Sequence, residues 1–191
     1  MNQKGWVDSR PAPEVLDKRE YMAKMRGSIS ILTSVALALF AGQALAQSAT
    51  NIGKHGDWGT YSFQGTKGKV CYVLTIPKAK QPATLDHGDM FFFVSQRPGQ
   101  SVSYEPQFIA GYTLKEGSKV SVTIGAKTFT MFSKANSAWV ENAAEEPAMI
   151  AAMKGGSEMK VQATSGRGNP TNYVFSLKGI SSALSSIATC K

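Results

Sequence analysis

Alternation of apolar and polar residues with a period of two is the feature that most limits the fold of this chain. Residues 119–124 (KVSVTI), 158–163 (EMKVQA) and 173–177 (YVFSL) place apolar side chains at every second position. Successive side chains of a strand point to opposite faces, so these segments predict strands with one buried face. They are short and are separated by turn sequences such as 65–68 (GTKG) and 97–100 (RPGQ). The pattern predicts an antiparallel, all-β fold.

Three further segments refine this architecture. Residues 90–95 (MFFFVS) are apolar at nearly every position, which predicts a central strand covered on both faces. Pro106 removes a backbone donor from the strand that starts at Val102, which favours a sheet edge or a bulge there. The segment from Pro77 to Gly88 carries two prolines and several polar residues and is interpreted as a loop. The whole pattern predicts an antiparallel β-sandwich of about eight strands.

One or two short helices are expected near the C-terminus. The first begins at Pro147, where a helix needs no backbone donor, and ends at Gly155-Gly156. Its inward side chains are Met149, Ile150 and Met153. The second is indicated by the i, i+4, i+7 spacing of Ile180, Leu184 and Ile187.

An apolar segment near the N-terminus predicts export. Lys24 and Arg26 precede the uncharged run 29–40 (ISILTSVALALF), and Ala44-Leu45-Ala46 gives the small-x-small pattern that a signal peptidase accepts. A membrane-spanning helix needs roughly 20 apolar residues, more than this run supplies. Cleavage after Ala46 is therefore favoured over a retained anchor.

The domain organisation follows from this cleavage. Residues 1–46 are interpreted as an N-terminal extension and signal peptide, with Met1, Met22 or Met25 as the start codon. Residues 47–191 form one domain with a single core. The expected location is the periplasm, with secretion or attachment to the outer envelope as alternatives, and no stable membrane insertion is expected after cleavage.

The charge of the exported part is positive but dispersed. Residues 47–191 hold 15 of the 21 Lys and Arg residues and nine of the 13 Asp and Glu residues, a formal net charge of +6. The charges are scattered singly, without the runs that make a basic arm, which argues against nucleic-acid binding. Weak attraction to anionic envelope surfaces stays open.

Cys71 and Cys190 are the two cysteines of the chain, and both lie in the exported part. In an oxidising compartment such a pair predicts a disulfide, here between an early strand and the C-terminal end. A catalytic thiol is the alternative. It would need a nearby base, for which the chain offers only His55 and His87.

Three stretches occur in an order and spacing that resemble a known family. They are Gly56-Asp57-Trp58, residues 108–132 with Gly111-Tyr112-x-Leu114 ahead of a Val-x-Val-x-Ile strand, and residues 149–184. The last stretch contains the segments 150–156 (IAAMKGG), 165–168 (SGRG) and 176–179 (SLKG). With this set the chain is similar to the invasion-associated locus B family of alphaproteobacterial envelope proteins over nearly the whole exported part.

The resemblance implies an exported, β-rich protein linked to host-cell invasion or colonisation in some pathogens, without an established catalytic centre. The chain departs from the family pattern in one place. Many relatives carry a cysteine shortly after the opening Trp, whereas residues 59–69 (GTYSFQGTKGK) contain none. Cys71 with Cys190 remains the internal pairing that the chain allows.

The best metal-ligating candidate is Asp86-His87-x-Asp89, with His55-x-Asp57 as a second piece. Carboxylate and imidazole groups could bind a divalent ion if the fold brought them together. An ordinary turn is the alternative, because nothing in this spacing enforces a metal site.

Catalytic and cofactor motifs are not found. The chain has no Gly-x-Ser-x-Gly elbow, and Gly155-Gly156-Ser157 follows a helix rather than opening one, the wrong order for a phosphate loop. No cofactor is expected. Arg167, between Gly166 and Gly168, could present its guanidinium to a carboxylate or phosphate; a solvated turn residue is the alternative.

Three functional hypotheses follow. The first is a non-enzymatic periplasmic or secreted protein that contacts an unknown protein or envelope surface. The second is a binding module for a small or lipidic ligand, held between the sheets near Phe91–Phe93. The third is a hydrolase, which three polar side chains converging on His87 would favour. A packed core with an exposed aromatic patch would favour the first hypothesis, and a deep apolar cavity the second.

Overall fold

A computed structural model describes residues 49–190, which form an eleven-stranded antiparallel sheet with two short α-helices. The predicted extension, signal peptide, cleavage after Ala46 and domain start at Gln47 lie outside the described residues. Within 49–190, no helix combines the length and the hydropathy that a membrane span requires.

The strands follow one another along the chain in hairpins and short connections. They are β1 (Thr50–His55), β2 (Trp58–Gly65), β3 (Gly68–Thr75), β4 (Ala79–Gln81), β5 (Phe91–Arg97), β6 (Val102–Ile109), β7 (Lys119–Ile124), β8 (Lys127–Lys134), β9 (Ser137–Val140), β10 (Glu158–Thr164) and β11 (Pro170–Ser176). The helices are α1 (Glu146–Gly155) and α2 (Ile180–Ile187). In the sheet the order is β1-β2-β3-β5-β6-β9-β8-β7-β10-β11-β4.

The all-β class is confirmed, but the sheet has eleven strands rather than about eight. Two strands at its edges were not predicted. Strand β4 lies inside the segment interpreted as a loop, where its three residues pair with Asn172–Val174 of β11. Strand β1 lies in a segment whose sequence has no apolar alternation. None of its six side chains is buried, so no such alternation is needed there. An edge strand held by backbone pairing alone leaves no periodic signal in the sequence.

Strand β6 continues through Pro106, which lies opposite Val94 of β5. On the other side of β6, strand β9 pairs only with Gln107–Ile109, so the sheet is locally an edge at the proline. The pairing of β5 with β6 also shifts register between Ser95 and Arg97. The predicted edge and bulge are both present, and they allow an interior strand to carry a residue without a backbone donor.

The core lies where the sheet folds back on itself, as in a sandwich. Side chains of β5 and β6 meet those of β11: the ring centroids of Phe92 and Phe175 are 5.8 Å apart, as are those of Phe108 and Tyr173. All four rings are at most 1% exposed. Contacts between these strands bury the apolar positions that the alternation singled out.

Both helices close the core with the predicted residues. Helix α1 buries Met149, Ile150 and Met153, and it carries Pro147 in its first turn. Helix α2 buries Ile180, Ala183, Leu184 and Ile187. Helix α1 packs against β6, and α2 packs against β1, β2 and β3.

The turn between β1 and β2 fastens the start of the sheet to the end of β11, and we call this contact the clasp. The backbone N–H of Asp57 donates to the carbonyl of Lys178 at 3.0 Å, and Trp58 Nε1 donates to the carbonyl of Ser176 at 3.0 Å. Gly56 and Gly179 have positive φ angles of 58° and 92°. A Cβ atom on either glycine would overlap the backbone opposite, so both positions require glycine.

Candidate functional site

The outward side of the sheet carries a band of large apolar side chains, which we call the aromatic face. It crosses six neighbouring strands, from β2 through β3, β5, β6 and β9 to β8. Its members are Tyr61, Phe63, Tyr72, Leu74, Phe91, Phe93, Ile109, Trp139 and Phe132. With about 4.8 Å between neighbouring strands, the band is roughly 24 Å wide. On soluble proteins an apolar patch of such extent marks an interaction site.

Strand β5 shows why these side chains face outward. Phe92 and Val94 are fully buried in the core, whereas Phe91 and Phe93 alternate with them and remain partly exposed. The prediction of a strand covered on both faces was therefore wrong for the outer face. There Phe93 contacts the rings of Tyr72 and Phe91, and Phe91 and Phe93 remain partly exposed.

The rings of the aromatic face contact one another across the strands. Centroid distances are 5.3 Å for Tyr61–Tyr72, 5.6 Å for Tyr72–Phe93, 5.7 Å for Phe91–Phe93 and 5.7 Å for Phe132–Trp139. Burial among these rings, followed by the nearby Tyr61 hydroxyl, raises the pKa of Tyr72 above its usual value. These contacts form two groups, one on β2, β3 and β5 and one on β8 and β9, and such pairs add to the energy of burial.

Gln107 lies in the middle of this band. In the register of the sheet it stands between Phe93 of β5 and Trp139 of β9. Its side chain is 8% exposed, and its amide nitrogen is buried without a hydrogen-bond partner. A buried donor with no acceptor lowers the free energy of unfolding, because it has lost its hydrogen bonds to water and makes none in the folded protein.

Replacing this amide should therefore stabilise the protein. We expect Gln107→Met to raise the free energy of unfolding by about 1 kcal/mol, because the substitution removes the unpaired donor and keeps the side-chain volume. Denaturant unfolding of the oxidised protein measures the change. Gln162→Met, the same substitution at an exposed position of β10, is the control and should change stability by less than about 0.5 kcal/mol. Equal changes in stability at both positions would contradict the conclusion that the amide nitrogen of Gln107 is buried without a partner.

Charged groups lie at the border of the aromatic face, and none of its members is charged. At one end, beyond Phe93, the guanidinium of Arg97 donates a hydrogen bond of 2.5 Å to the carboxylate of Glu105. Both side chains are mostly buried. At the other end Lys119 pairs with Glu141. An apolar centre with a polar rim is the anatomy of a protein interface.

The two pieces of the metal hypothesis lie on different loops with different partners. Asp57 accepts a hydrogen bond from Lys78 Nζ at 2.6 Å; this bond, followed by one with Ser176, lowers the pKa of Asp57. Asp86 instead accepts from the backbone N–H of Gly88 at 2.9 Å. Across 49–190, no three His, Cys, Asp or Glu side chains lie close enough together to hold a metal ion. The turn interpretation of residues 86–89 fits this geometry.

A buried row of hydrogen bonds runs from the loop after β4 to the end of β10, and we call it the His87 chain. His87 lies 2.8 Å from Pro82 O through Nε2 and 2.8 Å from Tyr173 Oη through Nδ1. Tyr173 Oη lies 2.7 Å from Tyr112 Oη, which lies 2.7 Å from Thr171 Oγ1. Thr171 Oγ1 lies 3.1 Å from Ala163 O. His87, Tyr173 and Thr171 are at most 5% exposed.

The His87 chain lies beneath an open cleft of about 590 Å³. Three loops line the cleft: residues 85–87, residues 112–113 and the turn 165–171 that carries Arg167. The backbone brings them together. The N–H of Gly166 donates to the carbonyl of Thr113 at 2.8 Å, and Gly111 lies so close to residues 87–89 that a Cβ on it would overlap their backbone.

Arg167 and Asp86 therefore both line one cleft, although they are 81 positions apart in sequence. Both side chains are exposed, and among the lining residues they supply one cation and one anion. Sequence reasoning singled out both residues but missed the hydroxyls of Tyr112, Thr171 and Tyr173. Tyr112 and Tyr173 were noted only as parts of motifs and strands, since a buried hydroxyl has no signature in a sequence.

The geometry at His87 differs from that of a nucleophile and its base. Three hydroxyls do follow one another from His87, but only that of Tyr173 contacts the imidazole, and Tyr173 is 1% exposed. Burial raises the pKa of Tyr173 well above its usual value, which makes its phenolate hard to form. Ser165, which lines the cleft, accepts through its hydroxyl from the N–H of Asn169 at 3.1 Å. A hydrolytic dyad needs an accessible nucleophile beside the base.

Cys71 on β3 and Cys190 after α2 lie with their sulfur atoms 1.99 Å apart and their Cα atoms 5.8 Å apart. These are the distances of a disulfide bond. The bond ties the C-terminal end of the chain to the core, where both residues are buried.

Comparison with protein families gives a match over most of the described residues. The sequence model described as Invasion associated locus B (IalB) protein matches residues 58–188. The chain belongs to the invasion-associated locus B family. The matched range includes the whole aromatic face, the three loops of the cleft and Cys71, and it ends two residues before Cys190.

Comparison with solved structures also gives a match. The crystal structure of invasion associated protein b from Bartonella henselae is 16% identical and covers 71% of this chain and 94% of its own, with a TM-score of 0.49. A search of curated proteins found no significant match.

Proposed function

We propose that this member of the invasion-associated locus B family is exported to the periplasm or beyond and acts without catalysis, by binding a protein partner through the aromatic face. The observation that carries the proposal is the band of partly exposed apolar side chains across six strands, five of which contribute aromatic rings. A contribution to invasion or colonisation, which the family name expresses, would be made through this contact.

A protein partner fits the aromatic face better than a small ligand does. Phe92 of β5 packs against Phe175 of β11 and has no exposed surface. The interior near Phe91–Phe93 is therefore filled by side chains. The cleft above His87 lies elsewhere, between the loops 85–87, 112–113 and 165–171. A broad surface rich in Tyr, Phe and Trp has the composition of the hot-spot centre of a protein interface.

The absence of catalysis in this proposal rests on the geometry around His87. The ring nitrogens of His87 are engaged by the Pro82 carbonyl and the Tyr173 hydroxyl. Such an imidazole is held in place by its neighbours, which favours a structural role for His87 over a catalytic one.

A photo-reactive phenylalanine analogue placed at position 132 tests the proposal in cells that export the protein. We expect it to form adducts with a protein of the envelope, because Phe132 is 38% exposed within the aromatic face. The control places the same analogue at Thr128, which is exposed on the same side of β8 but about 13 Å away along the strand. Adducts should form at position 132 and be absent at position 128.

Competition separates a specific partner from adventitious capture. Adding the purified wild-type domain should reduce the adduct at position 132, whereas a domain with Phe93→Ser and Trp139→Ser should leave it unchanged. Equal adducts at positions 128 and 132, or equal competition by both domains, would contradict the proposal. Adducts with lipid alone would show that the aromatic face contacts a membrane surface instead.

A further inference from the structure

The ends of the His87 chain fix the direction of its outer hydrogen bonds. Both terminal atoms, Pro82 O and Ala163 O, are carbonyl oxygens, which can only accept. His87 therefore donates from Nε2 at 2.8 Å, and Thr171 donates its single hydroxyl proton to Ala163 O at 3.1 Å. The three inner contacts must be supplied by the remaining protons.

The remaining protons are too few while the imidazole is neutral. A neutral His87 has spent its one N–H on Pro82, so the inner contacts have only the hydroxyl protons of Tyr112 and Tyr173. The chain then has four protons for its five contacts. One contact of about 2.7–2.8 Å would bring two acceptors together without a hydrogen between them.

A second proton on His87 completes the row. Nδ1–H then donates to Tyr173, the Tyr173 hydroxyl donates to Tyr112, and the Tyr112 hydroxyl donates to Thr171. We propose that the His87 chain is a proton-binding site, complete only when His87 is doubly protonated, and that loss of this proton loosens the three loops around the cleft. Loss of this proton at higher pH would therefore loosen the three loops, and its uptake at lower pH would hold them as they are seen here.

Charged side chains around His87 do not decide its protonation by themselves. The elements packed around it carry three carboxylates and three cations, namely Asp86, Asp89, Glu116, Lys80, Lys115 and Arg167. All are exposed or partly exposed, so solvent screens them. Burial of an imidazolium is unfavourable, but here both of its N–H groups have acceptors, which offsets that cost. The number of protons available for the five contacts of the His87 chain is therefore what favours the doubly protonated imidazole.

Thr171→Val tests the count directly. It removes one proton and two contacts, so three contacts remain for the three protons of Tyr112, Tyr173 and a neutral His87. Nitrogen NMR of the histidine rings should show that His87 in the wild-type domain keeps its second proton to a pH about one unit higher than in the variant. His55, the other histidine of the chain, is the control in the same spectra and should not shift.

Tyr112→Phe provides a second test if Thr171→Val fails to fold. It also leaves three contacts and three protons with a neutral imidazole, and Tyr112 is only partly buried. The protection of residues 85–87 against hydrogen exchange, taken relative to the intrinsic rate at each pH, should rise in the wild type, but not in either variant, as His87 takes up its second proton. Identical His87 titrations in the wild type and both variants would overturn the proposal, as would a wild-type imidazole that stays neutral down to the acid limit of the fold.

Discussion

Replacing both cysteines, Cys71→Ala with Cys190→Ala, is expected to lower the free energy of unfolding by about 4–5 kcal/mol. The two residues are 119 positions apart, so the bond removes much of the conformational entropy of the unfolded chain. It also fixes α2 against β3, because Cys190 follows that helix directly. Small domains are stable by about 5–15 kcal/mol, and the variant should therefore unfold at a much lower denaturant concentration.

Reduction provides the control for this prediction. A reducing agent should destabilise the wild-type domain by a similar amount and leave the double variant unchanged. Thiol titration of the protein recovered from cells that express the full chain should find no free thiol. A double variant as stable as the wild type, or two free thiols in the exported protein, would contradict the disulfide and return Cys71 and Cys190 to consideration as reactive residues.

Trp58→Ala is expected to lower the free energy of unfolding by about 3–5 kcal/mol, because it empties a fully buried position of the core. It also opens the clasp, since Trp58 Nε1 donates to the carbonyl of Ser176 at 3.0 Å. Trp58→Phe keeps most of the apolar volume and should cost about 1–3 kcal/mol, mainly through the carbonyl left without its donor. Denaturant unfolding with the disulfide intact measures both.

Trp139→Ala is the matched control for this substitution. Trp139 lies on the aromatic face, where it stacks on Phe132 and is partly exposed, so its loss should cost clearly less stability than the loss of Trp58. Equal losses at the two positions would contradict the assignment of Trp58 to the core and Trp139 to the outer face of the sheet.

The fold class and both helices were predictable because they follow from periodicity. The inward residues of α1 and α2 repeat at helical spacing, and strands such as β7 alternate with a period of two. Strands β1 and β4 were not predictable in this way. They lie at the two edges of the sheet, where backbone hydrogen bonds determine the pairing and the side chains carry no buried pattern.

The role of Gly56-Asp57-Trp58 was visible in the sequence only as a resemblance. The structure gives it a physical reason, because each of its residues contacts the segment 176–179 at the far end of the sheet. A contact over more than 100 positions depends on the curvature of the whole sheet, which no local pattern encodes.

The aromatic face was misinterpreted for a related reason. The run MFFFVS shows that Phe91–Phe93 are apolar, but not which face of β5 has a second layer above it. The strand order places β5 between β3 and β6, and only the alternating exposure of β5 reveals that Phe91 and Phe93 lie on its less buried side. The same limit applies to the cleft, where Asp86 and Arg167 meet through the topology.

Radical footprinting tests the central claim most directly. The exported protein is oxidised once in purified form and once in intact cells, and the oxidation of each residue is compared between the two. Phe132 and Trp139 should be protected several-fold in cells, because a partner covers the aromatic face there. Leu85, which has the same exposed fraction of 38% as Phe132 but lies at the cleft, should oxidise equally in both. Equal oxidation of Phe132 in cells and in purified form would contradict the claim.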